Sequence, residues 1–341
     1  RDRCRSLRAI WANRMTLHVR HGGVLTTVQD PGRSGWRHLG VAHAGALDPA
    51  QASLANRLVG NPADAAVLEL TLRGPVLEFP QPTRIALCGA RIDAHFEDVH
   101  ARRHPVPVGR PVTLPAGVLT LGAIRNGLRA WLAVAGGIDV PCVLGSRSTD
   151  LRGGFGGIDG RALHEGDLLP IGAHPAIEAC TPEASTPASP DWWIALNVAA
   201  SMQDAIRYVP GELPEALSLT ERAWTVDTRS DRQGLRCNGD GIVATAGEQI
   251  SAPVAPGTIQ LPPDGKPIVL LADAQTVGGY PRLGHVIAAD LPRLAQWRAG
   301  DALQFVAVDA IAARTAAQRR RSEIARLHWA IDRALGHPQE S

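Results

Sequence analysis

Short β-prone runs, broken by Gly, Pro or Asp roughly every eight to twelve residues, fill residues 15–172 of this chain. VLTTV at 24–28, VLEF at 76–79, IAL at 85–87, VLTL at 118–121 and AWLAV at 130–134 are such runs. None is long enough for an ordinary helix, and that spacing argues an all-β sandwich or barrel. One helix interrupts the pattern: Asp48 suits an N-cap, Pro49 the first helical position, and Gly60 a stop. Leu54, Leu58 and Val59 would line its buried face.

A second β-rich segment covers 206–308 and is organised around QLPPDGKPIVLLADAQTVGGYPRLGHVIAAD at 260–290. A Pro-Pro-Asp-Gly turn opens the stretch. PIVLLA at 267–272 then reads as a buried strand, ending in a polar tip and the pair Gly278-Gly279. A one-turn helix capped by Asp290 follows, and 303–308 makes a closing strand. RAWLAVAGGIDVPCVLGSRS and KPIVLLADAQTVGGYPRLGH both set an apolar strand before a glycine-containing loop and an arginine, as a pair of related barrels would.

Between the segments, 173–205 has the proline, alanine and small polar residues of a linker. Residues 309–335 read as a C-terminal helix, with Ile324, Leu327, Ile331 and Leu335 at helical spacing and a solvated Arg319–Arg321 face. Residues 1–14 precede Met15, where the first strand pattern begins, and read as an upstream extension.

The formal net charge of +2 gives no electrostatic case for nucleic acid or an anionic membrane. Five scattered cysteines form no CxxC pair or disulfide framework, which suits a reducing compartment, and no apolar run approaches a membrane span. A cytoplasmic protein is expected. The histidines suggest no metal site, since His100 and His104 lie in a turn-and-strand context. Neither GxxxxGK[ST] nor GxSxG occurs.

Charged residues collect beside glycines. Gln29, Asp30 and Arg33 flank a Pro-Gly turn. Arg147, Ser148, Asp150 and Arg152 stand against the glycines at 153, 154, 156 and 157, and Asp231 and Arg232 precede Gly234. Glycine-rich backbone beside arginines either cradles an anion or simply turns a barrel corner. In the central stretch lie Lys266, the chain's only lysine, then Asp273, Gln275, Tyr280 and Arg282. A buried strand, polar tip, flexible glycines and an aromatic beside a cation are how a site is often placed; a barrel strand with a glycine-rich corner has the same look.

LTTVQDPGRSGWRHLGV, AGALDPAQASLANRLVGNP, LELTLRGP, AVAGGIDVPCVLGSRSTDLRGGFGG, SDRQG and PPDGKPIVLLADAQTVGGYPRLGHVIAADLPRLAQWRAGD together resemble the KipA family. It is also called allophanate hydrolase subunit 2, the biotin-dependent carboxyltransferase subdomain, or the C subunit of 5-oxoprolinase. The resemblance covers about 15–308 and implies two cyclophilin-like β-barrel domains. It also implies ATP-dependent opening of 5-oxoproline to glutamate, in complex with KipI-like and LamB/YcsF-like subunits, with ATP and any Mg held by the complex. The family's other roles are carboxyl transfer in a urea amidolyase-type enzyme, with biotin on another chain, and regulation through a KipI-like kinase inhibitor.

Lactam opening and carboxyl transfer both need cations over a developing oxyanion and an acceptor for an N–H. Asp273, Gln275, Arg282 and Lys266 are the expected catalytic groups. Asp30, Arg147, Asp150, Arg152, Asp231, Arg232 and Tyr280 are the expected substrate-binding ones, with Gln275 orienting the amide and Tyr280 covering a small ring. The chain departs from the family's usual residues at Ala44, often serine, and at Arg282, often lysine; Ala274 and Val277 also replace more polar residues.

Overall fold

The computed structural model describes residues 15–173, 186–196, 202–243 and 250–336. The 1–14 extension, Cys4, Cys180 and much of the 173–205 stretch fall outside these. The chain divides into two compact units. One is Arg1–Pro31, Ala50–Leu196 and Leu327–Ser341; the other is Gly32–Pro49 and Asn197–Arg326.

The first unit carries β1 (Thr16–His21), β2 (Leu25–Gln29), α1 (Pro49–Val59), β3 (Val67–Thr71), β4 (Val76–Phe79), β5 (Thr83–Asp98), β6 (Arg103–Pro105), β7 (Pro111–Leu114), β8 (Gly117–Val134) and β9 (Leu168–Pro170). They form a nine-stranded sheet around β8, which pairs with β4 at its start, with β3 toward its end, and with β5 along its length. The two runs read separately at 118–121 and 130–134 belong to this one 18-residue strand. Asn126, at φ 55°, and Gly127, at φ 149°, lie inside it. The β5–β8 register shifts between Gly89 and Arg91 and again between Ile92 and Ala94, so the punctuation there marks bulges rather than an end.

Helix α1 starts and stops where Pro49 and Gly60 foretell, with Leu54, Leu58 and Val59 buried. Its Gln51 accepts the Gly89 N–H at 3.0 Å. Of the linker-like stretch, residues 186–196 lace onto this unit: Thr113 and Ala188 exchange backbone bonds at 2.8 and 2.9 Å, and the Ile194 N–H reaches Gly109 O at 2.8 Å.

The second unit carries β10 (Ile206–Pro210), β11 (Trp224–Val226), β12 (Gly234–Asn238), β13 (Ala252–Pro253), β14 (Thr258–Gln260), β15 (Ile268–Leu270), β16 (Val277–Gly278), β17 (Arg282–Val286), β18 (Ala302–Leu303) and β19 (Phe305–Ala307). Eight of them form one sheet in the order β18-β11-β12-β15-β14-β17-β10-β19. Its edge strands β18 and β19 are separated in the chain only by Gln304, so a single segment brings the two edges together and the sheet comes close to closing as a barrel. The single closing strand expected at 303–308 is thus split between the two edges. β13 and β16 pair separately as a small two-stranded flap.

Asp290 precedes a 3-10 helix at Leu291–Gln296 but makes no side-chain cap bond to it. Its carboxylate is taken instead by Arg207, at 2.9 and 2.7 Å, because the fold brings that guanidinium from β10. The long C-terminal helix α2 (Ala310–Ala334) buries only Ile331 of the four apolar positions named for it. Arg319 and Arg321 are exposed. Within the first unit, its last turns meet α1, with His328 Nε2 3.1 Å from Ser53 Oγ. No helix among the described residues is long and apolar enough to cross a membrane.

Candidate functional site

The turn that leads into β15 is closed by glycine, at the end of the strand away from Asp273. Gly265, at φ 72°, closes the Pro-Pro-Asp-Gly turn by donating to Pro262 O at 3.0 Å. A Cβ on Gly265 would sit 2.6 Å from Ile242 O, so both the conformation and the close approach require glycine. The strand runs through the barrel wall and delivers Asp273, only 2% exposed, to Arg232. Arg232 Nε and an Nη donate to the two carboxylate oxygens at 2.9 and 3.0 Å. The same Nη also reaches Gly45 O at 2.6 Å.

The Gly32–Pro49 segment is stitched to this tip. The Ala44 N–H donates to Ala272 O at 3.0 Å, with Ala44 buried and held at φ 53°. Arg37 donates to Val254 O at 2.5 Å and Gln275 O at 3.2 Å. Burial lowers the Arg37 guanidinium pKa.

Beside this framework, an open-mouthed cavity of about 150 Å³ is lined by Gln233, Arg236, Gln260, Gln275 and Tyr280, with Pro262, Ile268 and Leu270 as its apolar part. No carboxylate lines it, so its formal charge is that of Arg236. Gln260 is 1% exposed and accepts Gln275 Nε2 at a long 3.4 Å. The flap strand β16 lies between the two lining residues Gln275 and Tyr280 in the chain, and Tyr280 is 41% exposed.

The other expected residues fall as follows. Asp231 Oδ1 accepts the Gln233 and Gly234 N–H groups at 2.8 and 3.2 Å, shaping the turn into β12. Arg282 is exposed on β17, outside the cavity lining and without an ion-pair partner among the described residues. Lys266 bonds Asn238 Oδ1 at 2.6 Å, at the opposite end of β15 from Asp273.

In the first unit, Asp30 accepts Ser146 Oγ, the Arg147 N–H and Ser148 Oγ at 2.5, 2.5 and 2.6 Å. The Arg147 guanidinium turns to Asp139 at 2.9 Å. Asp150 Oδ1 takes the N–H groups of Arg152 and Gly153 at 3.1 and 2.7 Å, leaving the Arg152 side chain exposed. The Gly154 and Gly157 amides go to Asp150 O and Arg147 O, both at 2.9 Å. These amides are spent on their own loop, as they would be at a barrel corner.

Sequence reading missed Gln233, Arg236, Gln260 and Arg37. A glutamine ending the apolar strand run of β14 was the one available signal for Gln260.

A barrel-type β protein with a small polar cavity at a strand tip is the class these features define. The chain belongs to the carboxyltransferase domain family, subdomain A and B, whose profile matches residues 39–307. It is 40% identical to the 5-oxoprolinase C subunit of Escherichia coli (strain K12), over 92% of this chain and 98% of that protein. The protein of the same name from Haemophilus influenzae is 34% identical over 87% of this chain and 92% of its own length. The crystal structure of the K. lactis urea amidolyase superposes with a TM-score of 0.77 at 28% identity, covering 92% of this chain but only 20% of that one.

Proposed function

We infer that this chain is the C subunit of an ATP-dependent 5-oxoprolinase that opens 5-oxoproline to glutamate, and that it works only with KipI-like and LamB/YcsF-like subunits. One observation carries the reading: 40% identity to the E. coli C subunit, matched over 98% of that protein's length. The amidolyase likeness supports carboxyl transfer less well, since this fold makes up only a fifth of that much longer chain.

A lactam resists water because amide resonance weakens its carbonyl as an electrophile. Opening it requires the ring to be held still and the carbonyl oxygen to be stabilised as charge develops there. Gln275 and Tyr280 already line one small cavity and can orient the amide and cover the ring. Arg282, without a carboxylate partner among the described residues, would supply a cation nearby in sequence.

ATP would supply the driving force for the reaction. A nucleotide does not fit the 150 Å³ cavity, and the glycine-rich loop after Asp150 offers no free phosphate cradle. ATP and any Mg would be held by the complex.

The test is reconstitution of the chain with its KipI-like and LamB/YcsF-like partners, measuring glutamate and ADP formed from 5-oxoproline. Release of both by the complex, and by none of its components singly, is expected. Arg282→Ala should abolish release while leaving the melting temperature unchanged. Lactam hydrolysis by the purified chain alone would remove the partner requirement, and carboxylation of an amide by a biotin-loaded partner would replace the lactam reading.

A further inference from the structure

We propose that the exposed face of α2 over residues 310–326 is a docking surface for an acidic α-helix of another protein, which lies along it with carboxylates on both flanks of an apolar seam. Such a surface is independent of the lactam reading.

This stretch of α2 belongs to the second unit. It starts at a cap, where Asp309 Oδ1 accepts the Ala312 N–H at 2.7 Å. At about 3.6 residues per turn, positions alternately four and three residues apart fall along one line of a helix. Ile311, Thr315, Gln318, Ser322 and Ala325 have that spacing, and all are exposed, Ile311 by 68%. Arg314 and Arg321 run along one side of the line, Arg319 and Arg326 along the other, each pair seven residues apart. These four arginines are exposed and make no ion pair among the described residues. The only acidic side chain of the stretch, Glu323, is already bonded to Arg320 at 2.9 Å.

On a helix that merely faces water, acids usually stand three or four residues from the bases and offset them. Here five arginines answer to one glutamate, in a chain whose whole formal charge is only +2. Same-sign charge gathered in two rows raises the energy of the helix until an opposite charge arrives. The rows also lie where paired helices carry their matching charges, on either side of a four-three seam. Arginine in both rows would meet arginine in a second copy, parallel or antiparallel, so the arrangement rejects self-pairing and selects an acidic partner.

The seam itself is narrow. Ser322 and Ala325 are small, and Thr315 gives its hydroxyl to Ile311 O at 2.9 Å, so large apolar side chains of the partner have room. Most of the attraction is then electrostatic and should weaken as salt screens it. Nucleic acid or an anionic membrane calls for a broader positive field, and the rest of the chain has no basic excess.

The experiment is fluorescence anisotropy of labelled synthetic peptides with the full chain. One peptide carries leucine along its seam and glutamate on both flanks, and a second carries lysine on the flanks. A third repeats the first with a central proline that breaks the helix. The acidic peptide is expected to bind, the lysine peptide not to bind, and the proline peptide to bind at least about tenfold more weakly. Raising salt from about 50 to about 300 mM should weaken the acidic peptide about tenfold. The fourfold variant Arg314→Glu, Arg319→Glu, Arg321→Glu and Arg326→Glu should lose the acidic peptide and bind the lysine one. Glutamine in the same four places keeps the helix free of like charges, and should lose the acidic peptide at an unchanged melting temperature.

Equal binding of the acidic and lysine peptides, or no binding of the acidic one at submillimolar concentration, would overturn the docking surface. Sedimentation that shows dimers, dissolved by the glutamine variant, would give the face to a second copy instead. Random duplex DNA or phosphatidylserine vesicles binding more tightly than the acidic peptide, and lost in the same variant, would give it to a polyanion or a membrane. Either result sinks the proposal.

Discussion

Arg232 grips Asp273 through two parallel N–H···O bonds of 2.9 and 3.0 Å, with both side chains only 3% exposed. The pair closes the tip of β15, and through the bond from Arg232 to Gly45 O it holds the Gly32–Pro49 segment against that tip. Removing one partner would strand the other charge away from water. Arg232→Met and Asp273→Asn should therefore each cost about 3–5 kcal/mol. Urea unfolding checks this, and the double variant should be little worse than either single one.

Arg37 fixes the backbone that presents Gln275, through its bonds to Val254 O and Gln275 O. Arg37→Met should lower stability by about 1–2 kcal/mol, the usual cost of hydrogen bonds from a charged donor that is partly solvated. In the reconstituted complex it should raise the KM for 5-oxoproline severalfold and leave kcat nearly unchanged, because it positions a binding residue and touches no reacting atom. A fall in kcat at constant KM would contradict that role.

Acid stability should depend on Asp290. Burial opposes its ionisation, but the side-chain and backbone bonds from Arg207 and the nearby Arg293 charge outweigh that, so its carboxyl lies below the ordinary aspartate value. A carboxyl depressed in the folded state adds stability that is present above the unfolded value, near pH 4, and lost as pH falls through the folded one. Asp290→Asn should cost about 2 kcal/mol at pH 7, less than a fully buried pair because Arg207 is 40% exposed. The gap to wild type should close below about pH 4, as read from unfolding midpoints across pH.

Thiol labelling should separate the three described cysteines. Cys142 is exposed, whereas Cys88 and Cys237 are buried, and burial pushes the Cys237 thiol pKa up. Native iodoacetamide treatment followed by peptide mapping should find Cys142 alkylated and Cys88 and Cys237 untouched until the chain is unfolded.

The β architecture was legible in the sequence because its signals are local. Alternating apolar runs, the Asp48-Pro49 start of α1, its Gly60 stop and the Pro-Pro-Asp-Gly turn each depend on residues within a few positions of one another. The same logic misread 118–134, since a bulge with positive φ at Asn126 looks like a strand end when its partner β5 is not in view. It also gave Asp290 a cap role, because a local cap can be inferred from neighbours and a partner 83 residues away cannot.

For the site, local spacing was enough to show polar groups gathering at the end of the buried strand β15, with Gln275 and Tyr280 among them. Which of the charged residues stay available depends on what the fold brings beside them. It commits Asp30 to two serines and a backbone amide, locks Asp273 to Arg232, and leaves Arg236 without an ion-pair partner among the described residues, beside a buried Gln260. Availability depends on burial and on partners brought from distant strands, and neither is written in the spacing of residues along a chain.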